Sequence, residues 1–184
     1  MGLKVEKKFE YLGYMLAVVN GSGQNKLDTD RDKDVGLRLE GYPIEGLTVA
    51  GVGYATVGTR DKTTRDRVEA DIRYEGYSAL VLVEHIRGWD RKNNAKAVRG
   101  HGTYLQAAYT AFGVLQPMAR VGDLEPNMDK SGDHFWHYEG GLAWLFWKNE
   151  AKVTLSVSVF DPTHTDHKQN VAKAEGIVAV QASF

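Results

Sequence analysis

Residues 175–184 read EGIVAVQASF, and they alternate. In an extended chain Gly176, Val178, Val180, Ala182 and Phe184 fall on one face, and Glu175, Ile177, Ala179, Gln181 and Ser183 fall on the other. One face is dry and the other mostly wet. The same period of two recurs upstream. Ala151, Val153, Leu155, Val157 and Val159 alternate with Lys152, Thr154, Ser156, Ser158 and Phe160, and Val68, Ala70, Ile72 and Tyr74 alternate with Arg67, Glu69, Asp71 and Arg73. No segment sustains an apolar period of 3.6 residues, so the chain is expected to be all-β.

About ten strands are predicted, over residues 9–19, 35–40, 47–57, 67–74, 77–87, 102–111, 114–121, 135–147, 151–160 and 175–184. Several have the roughly 9–11 residues that a tilted strand needs to cross a hydrocarbon layer. The connections between them alternate in length. Residues 20–34, 58–66, 88–100, 122–134 and 161–173 form long loops, whereas 41–46, 75–76, 112–113 and 148–150 are tight. Long and short connections therefore gather at opposite ends of an antiparallel meander, the habit of transmembrane barrels. Soluble sandwiches with Greek-key crossings have no reason to sort loops this way. A water-soluble β-sandwich, its apolar faces meeting inside, is the competing architecture. Pro117 lies within a predicted strand and removes a ladder donor, so a bulge or a shorter strand is expected there.

Composition narrows the functional classes. The 184 residues suit a single domain, and the formal net charge of -1 gives no basic field for nucleic acid. The chain has no cysteine, hence no disulfide framework and no thiolate metal site. No apolar run approaches the roughly 18 residues of a membrane-crossing helix. Residues 1–8 are charged and contain no signal-peptide stretch. A mean hydropathy of -0.40 suits a barrel, in which only half of each strand is apolar.

Charges on the wet face are the candidate functional residues, because charged rings along a pore set ion selectivity. They are Arg38, Arg67, Glu69, Asp71, Arg73, Glu84, Arg120, Glu139 and Lys152, with Glu40 and Glu175 beside them. Cross-strand ion pairing is the plainer role for any single one. Trp136, Tyr138, Trp144 and Phe146 share a face around Gly140 and Leu142, as in two aromatic girdles at membrane interfaces.

Other motifs carry less. Residues 28–34, DTDRDKD, space carboxylates as a calcium loop does, but Lys33 stands where the sixth-position Gly belongs and Leu39 where the twelfth-position Glu belongs. A solvated loop is the expectation. On a strand His134 and His137 would face opposite ways, while the loop pair His164 and His167 could share an ion; no metal or cofactor is expected overall. The stretch 21–26, GSGQNK, lacks the ending of a P-loop, and no nucleophile elbow is present, so the chain reads as a non-enzyme.

Several stretches taken in order carry a narrower likeness: FEYLGYMLAVVNGSG, DKDVGLRLEGYP, EADIRYEGYSALVLVEH, GVLQPMARVGDLEP and YEGGLAWLFWKNEAKVTLSVSVFDP. Together they resemble the C-terminal portion of the phosphate-selective porin O and P family, bacterial outer-membrane channels. The resemblance implies an up-and-down transmembrane β-barrel passing small hydrophilic solutes and ions, anions such as phosphate among them. It implies lipid as surroundings, a homotrimer, and assembly machinery that reads the last strand with its terminal Phe184. Family barrels have about sixteen strands and are made with a signal peptide, and their constriction loop precedes this portion. The chain is thus expected to be a C-terminal piece. The alternative is a narrow, plugged barrel with a loop-borne binding role or an omptin-like protease role, drawn from the Asp-His neighbours at 133–134 and 166–167.

Overall fold

A computed structural model of the chain describes residues 2–20, 33–57, 64–92, 95–146, 151–162 and 173–182. Eleven strands run through them: β1 (Gly2–Lys8), β2 (Leu12–Asn20), β3 (Lys33–Ile44), β4 (Leu47–Val57), β5 (Thr64–Gly76), β6 (Ala79–Arg91), β7 (Val98–Tyr109), β8 (Leu115–Glu125), β9 (Phe135–Phe146), β10 (Ala151–Pro162) and β11 (Lys173–Ala182). They form one sheet in sequence order, each pairing antiparallel with the next. The meander is as the alternation demands. Among the described residues β1 pairs only with β2 and β11 only with β10, so the sheet has two open edges.

The strand beyond the ten expected is β1. Leu3 and Val5 alternate there with Lys4, Glu6 and Lys8, but the charge of the segment masked its period of two. β3 is also longer than expected: it runs on through Gly41 to Ile44 by a register shift and closes on the two-residue turn Glu45-Gly46, with Gly46 at φ 79°. Pro117 makes no bulge. It pairs with Leu142 of β9 and stands opposite Tyr109 of β7, where the β7–β8 ladder skips a rung: pairing stops at Ala108 with Met118 and resumes in the same register at Ala111 with Leu115, so the missing N–H interrupts the ladder without shifting it.

The separations between strands sort by end. Strands joined at one end are separated by 6 to 12 residues and those joined at the other by 2 to 5. The turn expected at 148–150, the segment 28–32, His164, His167 and Phe184 lie outside the described residues.

Register assigns every side chain to one of two faces. On the apolar face lie Leu16, Leu37, Val49, Ile72, Val83, Leu105, Leu142, Leu155 and Val178, and on the other lie Arg38, Glu69, Glu84, Arg120, Glu139 and Ser156. Among the described residues nothing covers the apolar face: contacts between strands run only between neighbours, with no second layer. The three buried hydrophobic residues among those described, Ala50, Ala143 and Leu145, all lie on the polar face. Leu155 remains 59% exposed, Leu39 56% and Val178 70%. The sandwich is thereby excluded, since it requires the apolar faces to meet. Side chains on the polar face are the more covered ones. In a single layer this means that the sheet curls towards the polar face, where side chains converge.

The turn between β5 and β6 stores strain that sequence could relieve. Tyr77 and Ser78 both have positive φ, 50° and 63°, the pattern of a type I′ turn filled by residues with a Cβ. Each such residue costs about 1 kcal/mol relative to glycine. Replacing Tyr77-Ser78 by Asn-Gly is expected to stabilise the fold by about 1 kcal/mol, read as a rise in the urea midpoint of the refolded protein.

Candidate functional site

The polar face gathers its charges at mid-strand. Arg38 is the sixth of 12 residues in β3, Glu84 the sixth of 13 in β6 and Arg120 the sixth of 11 in β8. Because antiparallel pairing puts these levels side by side, the charges form a belt across the sheet.

Arg38 organises its first half. Its guanidinium donates to both oxygens of Asp71, at 2.7 and 3.0 Å, through Nη1 and Nη2, and Nε donates to Glu40 at 2.7 Å. Glu69 stands 3.7 Å from Nη1. The reach from β3 to β5 passes over β4, where Ala50 and Val52 are small enough to allow it. Asp71 is only 6% exposed, and its bidentate arginine is what permits a carboxylate there. Tyr42 donates to the other oxygen of Glu40, and Tyr54 donates to Asp34.

The second half runs through β6 to β9. Tyr104 donates its hydroxyl to Glu84 at 2.8 Å, and Arg120 sits over the Tyr104 ring at 4.6 Å. Arg120 also donates twice to the Gln106 carbonyl, at 3.1 and 2.6 Å, with Glu139 3.9 Å from Nη1. Ser156 and Ser158 continue the belt on β10. The belt therefore holds Arg38 and Arg120 against Glu40, Glu69, Asp71, Glu84 and Glu139.

All nine charges expected to share a face do share it. Arg67, Arg73 and Lys152 stand away from the belt: Arg67 pairs with Asp90 at 2.6 Å, Arg73 with Glu75 at 2.6 Å, and Lys152 lies level with Leu145 and Gln181. Glu175 is level with Ser158. Towards the tight-turn end of β1–β4 the face opens into a recess of about 680 Å³ that includes Lys8, Tyr42, Glu45 and Arg73. Sequence reading missed Gln106, Tyr104 and Tyr42 as partners. Their parity along the strand was the available signal.

On the opposite face Trp136, Tyr138, Trp144 and Phe146 lie in one line, with Trp136 and Tyr138 stacked near the long-connection end and Trp144 and Phe146 near the short one. Tyr14, Tyr74 and Tyr109 add to the short-connection end and Trp89 to the other. His134 and His137 part as expected: His134 approaches Asp123, and His137 stacks on Phe160 at 4.4 Å on the polar face. Among the described residues no cluster of three or more His, Asp or Glu could hold a metal ion.

The loop between β8 and β9 is clipped to β7. Asp129 accepts from Arg99 at 2.8 Å and Lys96 at 3.0 Å, and Met128 N–H donates to the Arg99 carbonyl. Hydrogen bonds from Arg99 and then Lys96 hold the Asp129 carboxyl below its ordinary range.

No family model matches this sequence, and no curated protein does. Among solved structures the chain is similar to OmpT (in-vitro folded), an outer membrane protein of Vibrio cholerae, with a TM-score of 0.69 and 14% sequence identity. The match covers 96% of this chain and 59% of that one, so the chain spans well under two thirds of its neighbour's length. At this identity the likeness is one of fold: an antiparallel up-and-down sheet of the kind found in that protein.

Two outcomes follow from these contacts. Arg38→Leu leaves Asp71 buried without its cation and is expected to cost about 3 kcal/mol; Asp71→Asn in the same chain should recover part of the loss, both read by urea unfolding. The Asp129 clip has a depressed folded pKa, so its contribution is present above the unfolded carboxyl value and is lost as pH falls through the folded one. Amide exchange in residues 126–134 should accordingly quicken only at acid pH, and Asp129→Asn should abolish that pH step.

Proposed function

We propose that the protein is an outer-membrane porin, or the C-terminal majority of one, through which small hydrophilic solutes and ions diffuse. The observation that carries this reading is the uncovered apolar face. Apart from the polar positions His85, Arg87, His101, Thr103, Asp123 and Glu125 on β6–β8, the strands expose Leu, Val, Ile and Ala to whatever surrounds the protein, far beyond the few hundred Å² that soluble monomers tolerate. Hydrocarbon is the solvent in which such a face is stable, and the aromatic residues near both strand ends suit its two interfaces. Ten of the strands have 9 to 13 residues, enough to cross.

Hydrocarbon also forbids open strand edges, because their N–H and C=O groups would go unsatisfied. The free edges of β1 and β11 therefore call for further strands. The resemblance to the phosphate-selective porin O and P family and the 59% coverage of a longer outer membrane protein support closure by strands beyond these eleven. The wall then encloses water, lined by the charged belt.

The belt does not favour phosphate. Five carboxylates against two guanidiniums make the middle of this wall acidic, which raises the local concentration of cations. Anion preference rests on the family resemblance alone. The test is planar-bilayer conductance of the full-length protein under a salt gradient: discrete steps with a reversal potential of cationic sign are expected, and a silent bilayer would overturn the channel. Glu84→Gln and Glu139→Gln each remove a charge worth about 1 kcal/mol to an ion about 4 Å away in water, and should lower the cation-to-anion permeability ratio by up to about fivefold.

A further inference from the structure

On β6–β8 the apolar face changes chemistry towards the long-connection end. Arg87, His101 and Glu125 stand side by side in register there, and His85, Thr103 and Asp123 form the next row. The His85 Nδ1 and Thr103 Oγ1 are 2.9 Å apart. His101 Nε2 lies 3.5 Å from the Asp123 carboxylate, and His134 Nε2 approaches the same oxygen at 3.8 Å. Arg87 and Glu125 are left over: among the described residues neither has an ion-pair partner. The depth of the patch is set by its neighbours. Asp123 is in register with Trp136, and Trp89 follows Arg87 by two residues on the same face. Both tryptophans belong to the aromatic girdle of that end, so the patch lies where headgroups meet acyl chains.

Beyond the patch, towards the short-connection end, the face is apolar and hollowed. Ala107, Ala119 and Gly140 lie in register across β7–β9 and floor a depression of about 490 Å³, with Leu105, Val121 and Tyr138 on the side nearest the charges. Counting a chain carbon as about the size of a water molecule, roughly 30 Å³, the depression has the volume of one long acyl chain. A β-carbon built on Gly140 would meet no atom within 4 Å, so the hollow is open space.

Acyl chains offer nothing to charged groups, whereas a headgroup does. We propose that the patch and the depression form one site for a single retained lipid with a phosphoethanolamine headgroup. The Arg87 guanidinium takes the phosphate, Glu125 with Asp123 takes the ammonium, and one acyl chain lies over Ala107, Ala119 and Gly140. The two signs select this headgroup. Arg87 and Glu125 are two strand spacings apart, about 10 Å, and both side chains are long enough to close on a phosphate and an ammonium that two carbons separate. A purely anionic headgroup would set both carboxylates against a phosphate, and a quaternary ammonium has no N–H to donate to them.

This inference rests on the membrane reading above, and two readouts keep them apart. Full-length protein is reconstituted with phosphatidylcholine liposomes and floated on a density gradient. In detergent it is then titrated with phosphatidylethanolamine, phosphatidylcholine or phosphatidylglycerol of the same acyl chains, and retained lipid is counted by native mass spectrometry. One phosphatidylethanolamine per chain is expected, held about tenfold more tightly than either other lipid, the worth of one charge-assisted hydrogen bond. Glu125→Gln should erase that preference. Gly140→Leu, whose β-carbon meets no protein atom, should fill the depression and weaken all three lipids, while Gly53→Leu, equally free of neighbours on the apolar face of β4, should change nothing. Equal or tighter retention of phosphatidylglycerol overturns the headgroup. Retention that ignores both Glu125→Gln and Gly140→Leu, or no retention at all, overturns the site while flotation upholds the membrane reading. Protein that does not float defeats the membrane reading and this inference with it.

Discussion

Everything in this structure depends on the ladder of backbone hydrogen bonds between strands that are neighbours in sequence. Among the described residues no helix shares the load, no second layer packs on the sheet, and no large side chain is fully buried. A soluble domain of this size derives its stability from apolar area removed from water. Here that area stays outside, and the sheet alone decides which groups the protein satisfies by itself and which it leaves to its surroundings. The proposed insertion into a membrane is a statement about those surroundings.

The two faces solve different problems. On the polar face, charges must be held apart from one another yet kept in water, and the solution is a small number of fixed arginines. Arg38 collects three carboxylates and Arg120 is held by Tyr104 and Gln106. In the proposed channel, charges fixed in this way would give a wall whose potential does not relax as an ion passes. On the apolar face Leu, Val, Ile and aromatic side chains are the rule, and His85, Thr103 and Asp123 on β6–β8 depart from it.

Much of this was legible along the chain. The parity of Arg67, Glu69, Asp71 and Arg73 against Val68, Ala70, Ile72 and Tyr74 assigns faces without coordinates, since side chains in a strand alternate whatever the strand pairs with. The sorting of long and short connections gave the meander. What misled was charge density: Lys4, Glu6 and Lys8 hid the first strand, whose Leu3 and Val5 keep the same period. Pro117 removes a ladder donor as its residue type demands, but the β7–β8 register continues unshifted at Ala111 and Leu115, so no bulge forms. His85 has the parity of Val81 and Val83 and could have been flagged by it; its company could not, since Thr103, His101 and Asp123 come from two other strands.

By itself, then, the sequence determined an all-β chain, the two-faced character of each strand and the sorting of connections to two ends, because each follows from interactions among residues close in the chain. Only the tertiary structure decided the relative register of the strands. That register brings Arg38 to Asp71 across an intervening strand, builds the acidic belt from five separate strands, and concentrates the outward histidines on β6 and β7 beside Asp123 of β8. Register is a property of pairs of strands, so a one-residue slip would exchange the faces while leaving every local pattern unchanged.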